Sequence, residues 1–475
     1  MNPSWSGSGY GNLGRMRQVA VLLLLAAAAC GKVKEAGPDA PPNIDSCAAN
    51  QFVDCVGTVA RICDGAGTGT TDMECGAPGC NMGAGRCNAC VPDGATCGTN
   101  TVEHCGPDGL NASTETCSIG CTETPTAHCT YIEPTYAALA NICDTPAVMP
   151  ALTISTNQSF DTASDLICTG GVVTQASGPP ICVVRFGAIK IDAARTLTVQ
   201  GVRALALVAD RDLVIAGTLD VGADGTTNGP GGGTLVSGGV STDSKGGGGA
   251  GAKTAGAPGG TDAAAGGAAN GGGVGTDPAN LVSFVGGSRP ANPMILGSIS
   301  GGGGGAAILI SCRGQVSVTG VIDAGGGGGG GGRDLVFGAG TSLVSAAGGG
   351  AGGNVVLQGA AVSVTGSVFA NGGAGGGGTS VDDQDGLRGD DGSRSTTSSA
   401  VGGTPAGNGG SGGSGGRLGA TPTAGNMPAV AAGTAGGGGG STGFLQTYTP
   451  MGVAPTLTPA AASPGFQPNL KLSTR

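Results

Sequence analysis

A phrase of the form apolar-x-apolar-x-Gly-x-apolar-x-small occurs three times in the C-terminal half of this chain. Its slots are Leu213, Ile215, Gly217, Leu219 and Val221, then Val316, Val318, Gly320, Ile322 and Ala324, then Val362, Val364, Gly366, Val368 and Ala370. A further apolar pair precedes each copy: Leu205/Leu207, Ile308/Ile310 and Val355/Leu357. Period two with β-branched residues is the pattern of a strand, and a glycine fixed within it marks a bend between two short strands. Each phrase therefore predicts three short strands around two corners. One such unit cannot bury its inward face, whereas units stacked in register can. The expected fold is mainly β, a right-handed parallel β-helix with inward ladders of Val, Ile and Leu. A β-sandwich of the same strands is the alternative, and it has no need of the shared register.

Long glycine-rich runs leave the phrase at one slot each time: 222–305 after Val221, 325–353 after Ala324 and 371–441 after Ala370. If the phrases stack, the three inserts emerge side by side from one corner. Glycine numbers 103 of 475 residues, while aromatic residues are 3 % and charged residues 11 %. So little aromatic bulk argues against a compact enzyme core of this size. The formal net charge of −10, with scattered Lys and Arg, offers no footprint for nucleic acid and no basic amphipathic helix for a membrane surface.

The N-terminus gives an address. Arg15 and Arg17 precede a short apolar run that ends at Cys30, too short to span a bilayer and suited to a secretion signal over 1–29. Met1 and Met16 are both possible starts. Ala28 and Ala29 before Cys30 resemble a bacterial lipobox, although the family prefers Leu where Ala27 stands. The resemblance implies that Cys30 is diacylated and becomes the mature N-terminus, and Gly31 carries no inner-membrane retention signal. The expected location is the outer membrane or cell surface, with the lipid as membrane partner. Residues 30–46, polar and Pro-rich, form a tether.

Twelve cysteines follow in two sets of six: Cys47, Cys55, Cys63, Cys75, Cys80 and Cys87, then Cys90, Cys97, Cys105, Cys117, Cys121 and Cys129. In both sets seven residues separate the second cysteine from the third and eleven the third from the fourth, so a module has been duplicated over 47–89 and 90–129. Domains this small need crosslinks, and six cysteines allow fifteen pairings. Cys143, Cys168, Cys182 and Cys312 remain; Cys168 and Cys182 bracket a loop, but four cysteines allow three pairings. A zinc site at Cys87-x2-Cys90 with His104 and His128 is disfavoured by export and by the module boundary within the CxxC. The modules resemble those of surface lipoproteins of Gram-negative gliding bacteria, through Cys97, Gly98, Val102, Cys105 and Gly109. That resemblance implies surface location and no activity.

Residues 130–170 are read as connector and cap, 171–449 as the β-helix with its rhythm starting at Ile189/Ile191, and 450–475 as a loosely packed tail. Cys312 continues the parity of Ile308 and Ile310 and is expected to be buried facing inward.

Chemical motifs are sparse. Gly-x-Gly-x-x-Gly recurs without a βαβ frame, and Ser244-Lys245-Gly246 fails as a phosphate loop. Asp382, Asp383, Asp385, Asp390 and Asp391 are weak calcium candidates, since clustered carboxylates supply hard oxygen ligands but their spacing misses the EF-hand pattern. Gly329–Phe337 matches one calcium-binding nonapeptide beside polyglycine, and Arg388-Gly389-Asp390 is an RGD of the kind chance supplies. Asp220 and Asp323 share a slot in the phrase and are the one conceivable catalytic pair of a β-helix polysaccharide lyase or hydrolase. A Ser-His-Asp triad is disfavoured because both histidines sit among the module cysteines.

Polyglycine forms extended three-fold helices that pack side by side. In composition the inserts resemble the glycine-rich bundles of receptor-binding tips and of some antifreeze proteins, and 150–450 resembles glycine-rich β-helical adhesins. The resemblance implies a non-enzymatic surface lipoprotein, adhesin-like or structural, without a cofactor. Its partner would be a surface polysaccharide or another cell's surface. A carbohydrate-active enzyme and a calcium-dependent binding module are the alternatives.

Overall fold

The computed structural model describes residues 47–475, apart from 148, 234–237, 241–243, 264–271, 274–283, 291–300, 338–339 and 381–383. Cys30, the leader and the tether lie outside the described residues, as do Asp382 and Asp383. The described residues divide into two units, 47–93 with 106–111, and 94–105 with 112–475.

In the first unit, strands Phe52–Val56, Val59–Cys63 and Thr70–Glu74 form an antiparallel sheet. The first hairpin turns at Thr58 and Gly57, and Gly57 has a φ of 63°, which a side chain disfavours. Only Ala60, Cys63 and Cys75 are buried among its apolar residues, so crosslinks replace a core. The pairs are Cys47–Cys63, Cys55–Cys80 and Cys75–Cys87.

The second unit opens with the sheet Ala95–Cys97, Thr101–Cys105 and Ala112–Thr116, also antiparallel. Here Cys97–Cys121 and Cys117–Cys129 repeat the second-to-fifth and fourth-to-sixth pairing of the first module. All sixteen cysteines from Cys47 to Cys312 are in disulfides. The zinc alternative falls with this: Cys87 and Cys90 are oxidised, His104 pairs with Glu115 at 3.2 Å, and His128 Nδ1 lies 2.7 Å from the Thr126 carbonyl.

The rest of this unit is mainly β, with a single short 3-10 turn at Ala137–Leu139 among the described residues. Two six-stranded sheets are parallel throughout. One takes Ala151–Ile154, Ala188–Ile191, Leu213–Ile215, Gln315–Val318, Ala361–Val364 and Thr456–Leu457 in order. The other takes Gln158–Asp161, Thr196–Gln200, Thr218–Asp220, Val321–Asp323, Ser367–Phe369 and Ala461–Ser463. An eight-stranded sheet runs Ile132–Glu133, Leu470–Thr474, Phe444–Pro450, Asn354–Gln358, Ala306–Ser311, Ala204–Ala209, Ile181–Phe186 and Val172–Val173. Its two outermost pairings differ from each other in place but are both antiparallel, which closes the edges of an otherwise parallel sheet.

Leu213, Val316 and Val362 are register partners, as are Leu219, Ile322 and Val368. The repeated phrase thus occupies one register position from strand to strand, and its strands pair in parallel. With Leu205, Leu207, Leu309 and Leu357 these residues form a single apolar cluster of fully buried side chains. Burying each contributes roughly 1.5–3 kcal/mol. At the corners, the N–H groups of Gly320 and Gly366 donate to the carbonyls of Ile215 and Val318. A Cβ at Gly366 would fall on the Gly320 carbonyl oxygen and one at Gly320 on that of Gly217, so the bend needs glycine in the stacked copies of the phrase.

Four expectations are corrected. Ile308 and Ile310 do not face inward: Leu205 and Leu207 align with Ala307 and Leu309, so Ile308, Ile310 and Cys312 belong to a second apolar cluster on the outer face of the eight-stranded sheet. A one-residue slip exchanges the faces of a strand. Cys312 is buried there in a disulfide with Cys143. Residues 137–143 therefore cover the outer face through Leu139 and Cys143 rather than cap the first layer. The parallel ladder starts at Ala151, ahead of the expected 171 and 189. Finally, the tail is no loose end, because 456–474 adds a strand to each of the three sheets. Cys168 and Cys182 are joined, closing the loop they bracket.

Candidate functional site

The described parts of the glycine runs are ordered by their own backbones. Within 371–380, Gly372, Gly375 and Gly378 donate to Gly416, Gly413 and Gly410; Gly373 and Gly376 donate to Gly350 and Ala347; Ala374 and Gly377 donate to Asp390 and Leu387. The carbonyls of Asn371, Ala374 and Gly377 accept from Gly326, Gly329 and Gly332. Those of Ala370, Gly373, Gly376 and Thr379 accept from Gly443, Gly440, Gly437 and Thr434, and those of Gly375 and Gly378 from Gly403 and Ala406. Each neighbour is met at every third residue, which is the signature of an extended three-fold helix. The segment thus has six neighbours, three reached by donation and three by acceptance.

Side chains would prevent this approach. A Cβ at Gly376 would fall on the carbonyl oxygen of Gly330, and one at Gly377 on that of Thr404. Free polyglycine stays disordered because its ordering entropy is large. Here both ends of each run are held by ladder strands, at Ala324 and Asn354 or at Ala370 and Phe444. The N–H groups of Ala324 and Ala370 donate to Phe369 and Ser463 of the next layer. The ladder thus sets the phase in which the runs meet.

Beside this lattice lies a polar cleft of about 450 Å³, lined by Thr198, Gln200, Asp220, Asp323, Asp391 and Arg394 among others. Thr198, Asp220 and Asp323 are register partners on successive strands of the second six-stranded sheet. The expected acidic pair is therefore side by side, but a residue that the sequence reading passed over joins it. Arg394, from the third run, places Nη2 2.8 Å from Asp220 Oδ2 and Nε 2.5 Å from Asp323 Oδ2. The remaining oxygens are engaged too: Asp220 Oδ1 accepts from Gly222 N at 3.1 Å and Asp323 Oδ1 from Gly325 N at 2.9 Å. Burial pushes the Asp323 carboxyl above its ordinary value, and Arg394 opposes that shift. Each carboxylate oxygen thus accepts one bond, and the arrangement fastens the third run to the ladder.

The sign of the Asp323 shift fixes a pH dependence. A raised carboxyl favours the folded state below the ordinary carboxylate range and loses that advantage as pH rises through its raised value. Arg394 limits the loss. We expect Arg394→Ala to cost about 1–2 kcal/mol at pH 7, discounted because the guanidinium is half exposed. The deficit should shrink toward pH 4 as Asp323 takes up its proton. Thermal melts of both proteins across that range measure it, and a pH-independent difference would remove the clamp.

The other candidate residues separate. Asp385 Oδ1 accepts from Asp334 N at 3.1 Å, and Asp391 accepts from Gly225 N, Gly328 N and Arg388. Asp390 sits on a lattice strand, its N–H donating to Val401. No group of three or more His, Cys, Asp or Glu side chains able to hold a metal occurs among the described residues. The nonapeptide match divides into lattice glycines up to Gly332 and a hairpin, Arg333–Phe337 with Gly340–Val344. In the RGD tripeptide, Gly389 donates to Gly329 and Arg388 pairs with Asp391, so it is built into the lattice edge.

No family model, curated protein or solved structure matches the chain. It is classed by its architecture: a mainly β, disulfide-bonded protein with parallel sheets and an ordered glycine lattice. Disulfides in this number point to an exported protein. Among the described residues no helix is long and apolar enough to cross a membrane.

Proposed function

We propose that this is a non-enzymatic cell-surface lipoprotein, adhesin-like, in which a right-handed parallel β-helix carries a glycine bundle as its contact surface. The three sheets are read as the faces of one solenoid, since each layer gives them one strand in turn and parallel crossovers are almost always right-handed. The observation that carries the functional reading is the lattice itself. Some of the longest segments of the chain are spent on an array nearly free of side chains. Rigid, preorganised surfaces bind without a large ordering cost. Cys30 would take the lipid, and the disulfide modules follow it in the chain.

Two measurements test this. In a Gram-negative host able to process lipoproteins, metabolic labelling with palmitate should mark the wild-type chain and not Cys30→Ser, and protease should reach the protein on whole cells. An unlabelled wild type would sink the anchor. Cells displaying the chain should adhere to abiotic or cellular surfaces more than cells displaying a version in which 371–441 is replaced by a short flexible linker. Equal adherence would sink the contact surface.

A further inference from the structure

The hydrogen-bond pattern defines one outer facet of the lattice. Residues 409–416 bond inward to 371–380 and 434–443 through Gly410, Gly413 and Gly416. On one side they meet 400–406, with Gly412 and Gly415 donating to Gly403 and Ala400. On the other they meet 421–427, with Asn426 and Thr423 donating to Ser411 and Ser414. Three antiparallel three-fold helices thus lie in one row at the surface. Their spacing is dictated by backbone bonds, which makes the facet flat. Outward residues recur at every third position, roughly 9 Å apart along each helix.

The chemistry of the facet is uniform. From Ala400 to Gly416 and from Thr421 to Met427 no side chain is ionisable and none is aromatic. Thr404, Thr423 and Asn426 are exposed, and Ser411 and Ser414 are half-buried. Val401 and Met427 are its exposed large apolar side chains, and Ala424 is exposed as well. The polar groups are held in place across helices: Asn426 Nδ2 donates to Ser411 Oγ at 2.7 Å, and Ser414 N donates to Thr423 Oγ1 at 2.7 Å. An anionic polymer would find no cation here, and a protein hot spot would require aromatic or Arg anchors. Fixed hydroxyl and amide groups between small apolar patches match a neutral chain of hydroxyls with apolar ring faces.

Resting on the adhesive reading above, we infer that the facet formed by 400–406, 409–416 and 421–427 binds a neutral, extended polysaccharide along the helix direction. The test uses the full exported chain and insoluble cellulose, chitin and β-1,3-glucan, with polygalacturonate as the anionic comparison. Wild type should be retained on at least one neutral polymer. Thr404→Arg and Ser414→Arg should each reduce that retention ten-fold or more, with amide-exchange protection of 371–380 unchanged to show an intact lattice. Leu166→Arg, on an exposed site outside the facet, should bind as wild type. Retention on a neutral polymer that both facet variants keep would overturn the facet, as would retention on polygalacturonate alone. Concentration-dependent self-association abolished by Thr404→Arg, without polysaccharide retention, would assign the facet to a second copy and overturn the inference. If no polysaccharide is retained yet displayed cells still adhere through 371–441, this inference falls alone; if adherence also fails, the function proposed above falls with it.

Discussion

Gly376→Val should dismantle the glycine lattice while leaving the sheets and the disulfide modules standing. Residue 376 lies midway along the segment with six neighbours; its N–H donates to Ala347 and its carbonyl accepts from Gly437. A branched side chain there would have to occupy the place of the Gly330 carbonyl. The neighbouring helices are themselves fixed by other neighbours, so the strain cannot be relieved by moving one strand. Overpacking typically costs 1–3 kcal/mol, and each backbone bond broken on relaxation adds about 1. A local loss on the order of 4 kcal/mol is expected, enough to open the third run. Hydrogen exchange should show 371–380 and 434–443 losing protection together, with Leu213–Ile215 and Val316–Val318 still protected. Retained protection at 434–443 would mean that the segments are independent loops. Gly65→Ala, at a position with open space around its Cα, is the control and should have almost no effect.

The second large effect belongs to Cys143–Cys312. This bond closes 169 residues, against 14 for Cys168–Cys182. Constraint of the unfolded chain grows with the logarithm of loop length, giving upper estimates of about 5 and about 3 kcal/mol. The bond also holds the segment around Leu139 on the outer face of the eight-stranded sheet, where Ile308, Ile310 and Val356 would otherwise meet water. The double variant Cys143→Ser with Cys312→Ser should therefore lower the denaturation midpoint more than Cys168→Ser with Cys182→Ser. Chemical denaturation of the three proteins under oxidising conditions decides it. An equal or reversed order would show that the long bond adds no constraint beyond packing.

The parts of the fold that could be read from sequence are those where one period repeats. The stack of Leu213, Val316 and Val362 and the corner glycines were visible because β-branched alternation and a glycine at a fixed slot both recur. The adjoining strand misled because the corner before it varies. Leu207 to Leu213 is six residues, Leu309 to Val316 seven and Leu357 to Val362 five, so a common spacing puts Ile308 and Ile310 on the wrong face. The closing strands Thr456–Leu457 and Ala461–Ser463 are two and three residues long among prolines, too short to show a period. At the acidic pair the shared slot of Asp220 and Asp323 was legible, but Arg394 was not. It comes from 174 and 71 residues away, in a Ser- and Thr-rich stretch with no local partner pattern. The bundle was suggested by composition, whereas which run neighbours which depends on where the ladder releases and recovers each one.

Because these helices recognise one another mainly through main-chain groups, the lattice has little side-chain code for who pairs with whom. Its grammar is arithmetic. Adding or removing three residues within a run slides it by one whole turn and restores every bond inside it, whereas a change of one or two rotates the run and points its donors at empty directions. Runs of this kind can drift in wording and in length, provided the length changes in triplets and the glycines that face a neighbour's carbonyl stay glycine. Selection on such a surface would act on counting as much as on residue identity.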